Sequence, residues 1–116
     1  MKLLLVDDDE GIRTLLRLTF RDAAVDLFEA SEGDEALVVA AQKRPELVIC
    51  DGTMPFSRGG EVGRGIRELV PDAIIVSFSG STGDKPWADL SITKGTAGDL
   101  QRLRDAIYRA IPPRLS

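Results

Sequence analysis

An α/β fold built on a parallel sheet is the architecture this sequence predicts, and three observations predict it. Short apolar runs alternate with stretches of helical period along the chain, the pattern of strands joined by helical crossovers. Two runs, Leu47-Val48-Ile49-Cys50 and residues 73–78, are almost uninterruptedly apolar, which is how a strand buried on both faces reads. Two runs also end in acids: Leu3-Leu4-Leu5-Val6 leads into Asp7-Asp8-Asp9, and Cys50 leads into Asp51. In an open parallel sheet, ligands bind beyond the carboxyl ends of the strands.

The elements follow in order. Residues 2–6 form the first strand, and a helix over 10–22 carries Ile12, Leu15, Leu16, Thr19 and Phe20 at helical spacing. Residues 25–28 are a short second strand. Ser31 is placed to cap the next helix, with Asp34 three residues on as a weak capping box. That helix carries Ala36, Leu37, Ala40 and Ala41 and stops before Pro45. The third strand is 47–50. A helix over about 60–69 is weakened by Gly63 and Gly65. Residues 73–78 are the fourth strand and about 89–93 a brief fifth. The last helix spans about 98–110, with Leu100, Leu103, Ile107 and Ile111 on one face, and Pro112-Pro113 ends it.

Composition bounds the function. The 116 residues make one domain, and 43% apolar content supplies one core. A net charge of −4 disfavours direct nucleic-acid binding. No run reaches the length of a membrane span, and Met1-Lys2 leads into a strand rather than a signal peptide. A single cysteine, Cys50, excludes an internal disulfide, fits a cytoplasmic protein, and reads as a small core residue. The chain has no histidine. That removes Ser-His-Asp and Cys-His catalysis and argues against zinc.

The acids carry the chemistry. Two strands ending in carboxylates gather three or more negative charges at one sheet edge, and such a cluster repels itself unless a cation sits there. Mg²⁺ suits it, because it takes oxygen ligands and binds through one or two carboxylates plus phosphate. Acids also favour a helix N-terminus. Asp9 is expected in that capping role, and Met54 in packing.

These residues, taken in order, resemble a response-regulator receiver domain, and the resemblance covers nearly the whole chain. Val6-Asp7-Asp8 is similar to the acidic pair ending that family's first strand. Leu47 to Pro55, with Asp51-Gly52-Thr53-Met54-Pro55 at its end, resembles the phosphoacceptor strand and its Asp-x-x-Met-Pro loop, and Gly59 matches a common glycine of that loop. Ser79-Gly80 stands where the family has Thr or Ser and a small residue, and Lys94 follows the fifth strand. The resemblance implies a flavodoxin-like, doubly wound five-stranded parallel sheet of order 2-1-3-4-5. It implies that Asp51 accepts a phosphoryl group from a histidine kinase or a histidine phosphotransfer protein. With no histidine here, that phosphohistidine belongs to the partner. Asp8 and Asp51 would be direct Mg²⁺ ligands, the Thr53 carbonyl a third, and Asp7 would act through water. Lys94 would pair with a phosphoryl oxygen, Ser79 would donate its hydroxyl to another, and Gly80 would leave the phosphoryl group room to enter.

The pattern departs from the family in three respects. Only 15 positions separate Ser79 from Lys94, where the family fits a loop, a whole helix and a strand. The first half of the intervening stretch is rich in Gly, Ser and Pro and lacks helical period. The fourth helix, between the fourth and fifth strands, is therefore expected to be deleted or reduced to a turn. Ser91 stands where the family has a Tyr or Phe, and Gly95 where it has a proline. Trp87, the only tryptophan, is expected to cover the core edge that the missing helix exposes, or else to anchor a partner.

The leading expectation is a phosphorylatable signalling domain, one receiver unit over 1–116 without an output domain. It is not an enzyme on other molecules, catalysing only its own phosphotransfer and dephosphorylation. A receiver fold that binds partners without phosphorylation is the alternative. A Mg²⁺-dependent phosphohydrolase needs a second acid two residues beyond the nucleophile as general acid. That position is Thr53.

Overall fold

The computed structural model describes residues 1–21, 24–81 and 83–110. Five strands and four helices follow along these residues, alternating except where β5 directly follows β4: β1 (Lys2–Val6), α1 (Glu10–Thr19), β2 (Asp26–Ala30), α2 (Gly33–Lys43), β3 (Leu47–Cys50), α3 (Val62–Leu69), β4 (Ile74–Ser79), β5 (Leu90–Thr93) and α4 (Asp99–Ala110). All four strand pairings are parallel, and the sheet order is β2-β1-β3-β4-β5. The order reverses between β1 and β3, and a crevice opens at such a point beyond the strand ends.

Strand period two sorts the apolar runs into two cores. Leu4, Val6, Val48, Cys50 and Ile75 face one way and pack with Ala36 and Ala40 of α2 and Val62 and Ile66 of α3. Leu3, Leu5, Leu47, Ile49, Val76 and Phe78 face the other way and meet Leu16 of α1, Phe20, and Leu103 and Ile107 of α4. Both faces of the sheet are therefore covered, which is why β1 and β3 read as continuous apolar runs and β4 as one broken only by serine.

Several boundaries differ from the sequence expectation, each for a local reason. β2 runs on to Ala30, because five consecutive residues pair in register with β1, from Lys2 opposite Asp26 to Val6 opposite Ala30. α3 begins at Val62, since Gly59 and Gly60 both have φ of +90°, outside the helical region. Ser31 does not cap α2. The cap position is Glu32, which makes no side-chain cap bond, and Glu35 instead reaches back to the Ser31 amide at 2.7 Å. Asp34, the expected box partner, accepts the Ser57 amide at 3.0 Å and ties down the loop after β3. Asp22, Thr82, Ile111, Pro112-Pro113 and residues 114–116 lie outside the described residues.

Between β4 and β5 the described residues form no helix, as expected. Trp87 takes the helix's place in the core and is only 6% exposed, on the α2–α3 face of the sheet. Its ring lies against Gly63, where a Cβ would collide with the indole. The glycine that weakens α3 by propensity is the one that admits the ring. Arg67 fastens the segment from α3. It donates to the Trp87 carbonyl at 3.1 and 3.0 Å, to Asp89 Oδ2 at 2.7 Å, and to the Pro71 and Ala73 carbonyls at 2.9 and 2.8 Å. Asp89 also accepts the Ile75 amide at 2.8 Å and returns its own amide to the Ile75 carbonyl at 2.8 Å.

Removing the buried indole leaves a cavity that no neighbouring helix can fill. Trp87→Ala is expected to cost about 3–5 kcal/mol, read as a lower urea midpoint at unchanged m-value. A loss below about 1 kcal/mol would mean that the ring does not seal this core.

Candidate functional site

The site lies where four strands end together. Continued backbone pairing carries the ladder into it: the Asp51 amide donates to the Val6 carbonyl at 2.9 Å, and the Lys94 amide to the Ser79 carbonyl at 2.9 Å. Asp7 and Asp8 follow β1, Asp51 follows β3, Ser79 ends β4 and Lys94 follows β5. The register that fills the two cores thus also brings these side chains to one edge.

Oxygen atoms of Asp7, Asp8 and Asp51 lie within 4.8 Å of one another. Asp7 is buried, while Asp8 is exposed and makes no hydrogen bond to the described residues. Lys94 Nζ sits between the buried acids, 2.8 Å from Asp7 Oδ2 and 3.4 Å from Asp51 Oδ2. Asp51 Oδ1 accepts two bonds from one residue, the Thr53 amide at 3.0 Å and the Thr53 hydroxyl at 2.9 Å. Asp7 Oδ1 accepts the Asp9 amide at 2.9 Å. Asp9 caps α1 as expected, accepting from Gly11 at 2.8 Å and Ile12 at 3.3 Å.

The charges are set by opposing effects. Burial acts to raise the pKa of Asp51, but the Thr53 amide and hydroxyl and then Lys94 outweigh it, so the carboxyl is held below its ordinary value. Burial dominates at Asp7 and raises it, against the Lys94 bond and the Asp9 amide. Burial also disfavours charge on Lys94, yet the bond to Asp7 and the charges of Asp7 and Asp51 keep its pKa above the ordinary value. The Cys50 thiol, buried next to Asp51, is pushed up by burial and then by the neighbouring acids. It is a core residue, not a nucleophile.

Ser79 is buried, and its hydroxyl lies 3.3 Å from that of Ser81, whose amide also donates to Ser79 Oγ at 3.2 Å. A Cβ added at Gly80 would meet nothing within 4 Å, so that side of the crevice is open. All seven residues singled out from the sequence border this one edge. Two features were missed. Thr53, expected to contribute only its carbonyl to a metal ion, also donates its amide and hydroxyl to Asp51. Lys85 turns inward from the shortened segment and donates to Ser81 Oγ at 2.9 Å. Nothing in the spacing marks Lys85, whose surroundings read as a polar loop.

An open doubly wound parallel sheet with an acid–lysine cluster at its carboxyl edge defines the class of protein, and the comparisons agree. The family model for the response regulator receiver domain matches residues 3–101, and the chain belongs to that family. Sporulation initiation phosphotransferase F of Bacillus subtilis is 29% identical over 117 residues, covering 96% of this chain and 94% of that protein. The alkaline phosphatase synthesis transcriptional regulatory protein PhoP of the same organism is 39% identical over 67 residues, 58% of this chain but only 28% of PhoP. The chain thus spans a small part of some relatives and nearly all of another. Chemotaxis protein CheY4 of Vibrio cholerae superimposes with a TM-score of 0.74 at 26% identity, covering 95% of this chain and 98% of that one. The chain is a receiver domain of the two-component and phosphorelay type, and its acidic edge could hold a metal ion.

Replacing Thr53 by Val removes one of the two donors on Asp51 Oδ1 and keeps the backbone one. The Asp51 pKa is therefore expected to rise, followed by carboxyl-carbon NMR across an acid titration. An unchanged value would show that the hydroxyl does not hold the carboxylate.

Proposed function

We propose that Asp51 accepts a phosphoryl group from a phosphohistidine on a histidine kinase or histidine phosphotransfer protein, with Mg²⁺ held by the neighbouring acids. The observation that carries this reading is Lys94 Nζ, set between the carboxylates of Asp7 and Asp51 at the ends of separate strands.

The residues fit the ion. The donors are all hard oxygens, three carboxylates converge within 4.8 Å, and Asp8 is left without a protein partner among the described residues. Asp8 and Asp51 would bind it directly, the Thr53 carbonyl would add a third oxygen, and Asp7 would act through water. When bound, Mg²⁺ neutralises charge on the transferred oxygens.

The protein's part is to hold the nucleophile charged and aimed. Thr53 pins the Asp51 carboxylate as the anion. An oxygen of Asp51 attacks phosphorus, the P–N bond of the phosphohistidine breaks, and the departing imidazole nitrogen keeps the electron pair. The product is an acyl phosphate. Lys94 then pairs with a phosphoryl oxygen as a compact cation. The Ser79 hydroxyl donates to another oxygen, while its own oxygen still accepts from Ser81, and reports the modification to the rest of the fold. Gly80 leaves the group room to enter.

In this reading the receiver domain catalyses the modification of its own Asp51. No helix among the described residues is long and apolar enough to cross a membrane, and the lone buried thiol suits the cytoplasm. A partner-binding module independent of phosphorylation would require none of the converging acids, the pinned carboxylate or the bridging lysine.

Incubation with acetyl phosphate and Mg²⁺ is expected to give a shifted band on Phos-tag electrophoresis, lost without Mg²⁺ and lost in Asp51→Asn. A band that persists in Asp51→Asn would sink this assignment. Asp8→Asn is expected to lower Mg²⁺ affinity about tenfold or more, measured by calorimetry, without lowering the melting temperature, since the exposed Asp8 supports no packing.

A further inference from the structure

Lys85 is a buried cation with no carboxylate of the described residues within ion-pairing distance. It is 8% exposed, and its ammonium donates only to neutral oxygens, Ser81 Oγ at 2.9 Å and the Gly83 carbonyl at 2.9 Å. Among the described residues, Arg13, Arg17, Arg67 and Lys94 each have a carboxylate partner, and Lys85 has none. Taking an ammonium out of water without an anion is costly, so a cation held this way calls for an anion that arrives from outside.

The place of Lys85 says which anion. Its methylenes cross Gly52, the residue after Asp51, so closely that a Cβ on Gly52 would collide with its Cδ and Cε and lie 3.0 Å from Ser77 Oγ. From the ammonium, two hydroxyls lead inward: Ser81 Oγ at 2.9 Å, then Ser79 Oγ 3.3 Å beyond it. Ser79 is the residue that would meet a phosphoryl oxygen. The pocket already sets three carboxylates against Lys94, and a phosphoryl group adds further negative charge. The missing helix makes the arrangement possible, because the non-helical backbone of this segment lets the lysine fold back across Gly52.

Resting on the assignment of Asp51 as phosphoacceptor, we propose that Lys85 is a second cation of the phosphoryl pocket. It is a positioning residue, acting through Ser81 and Ser79 to stabilise the anionic group on Asp51. Hydrogen-bonded chains in a partly buried site polarise one another, so a charge two hydroxyls away is still felt.

The test is beryllofluoride binding at saturating Mg²⁺, measured by calorimetry on the wild-type chain, Lys85→Met, Ser81→Ala and the double variant. Methionine keeps the aliphatic cover over Gly52 and drops the charge. Lys85→Met is expected to weaken beryllofluoride binding about tenfold, while Mg²⁺ affinity in its absence does not fall. The Ser81→Ala and Lys85→Met losses are expected to be non-additive, as for members of one chain of bonds. Unchanged beryllofluoride affinity in Lys85→Met overturns the inference. So do fully additive losses, and so does a parallel fall in Mg²⁺ affinity and melting temperature, which marks a packing role. A wild-type chain that binds no beryllofluoride overturns the phosphoacceptor assignment and this inference with it.

Discussion

Carboxylates gathered at one edge of a sheet repel one another, and in this chain Lys94 sets a positive charge against the two that are buried. Its ammonium lies 2.8 Å from one buried acid and 3.4 Å from another. Those acids come from β1 and β3, and the lysine from the end of β5. The contact therefore exists only if the whole parallel order is in place, from the sheet centre to its edge. Thr53 then acts on a carboxylate already fixed by this arrangement, and Asp9 starts α1 immediately beyond it. Core and site are two results of one register.

The stretch between β4 and β5 shows how a receiver fold closes without one of its helices. Trp87 fills space on the α2–α3 face, and Arg67 spends its donors on the backbone and acid around it. Two elements thus do the work of one: a ring supplies apolar volume and a guanidinium supplies the fixed geometry. Lys85 lies on the same segment, close to the acceptor. In this chain the piece of backbone that replaces the helix also forms a wall of the crevice.

Much of the fold was legible, because buried parallel strands announce themselves as apolar runs and helices by their period. Asp7, Asp8, Asp51, Ser79 and Lys94 were legible because each follows or ends such a strand, and strand ends converge. What escaped the sequence depended on side chains crossing between elements. Ser31 looked like a cap because it precedes Asp34 at box spacing, but Asp34 was drawn to the Ser57 amide and Glu35 reached back instead. The continuation of β2 to Ala30 is dictated by its pairing with β1 rather than by its own half-buried residues. Lys85 was unreadable because nothing in a polar loop distinguishes a lysine that folds inward from one that points to water.

The contact between Trp87 and Gly63 reaches beyond packing. The two positions lie on different elements, yet the indole occupies the space any side chain at 63 would need. Neither residue is free to vary alone: a larger residue at 63 demands a smaller one at 87, and a smaller ring at 87 leaves room that only 63 or its neighbours can fill. The pair shares one fixed volume. Substitution at these sites is therefore a matter of exchanging volume across the gap, and the sequences open to the chain after losing its helix run through paired changes rather than single ones.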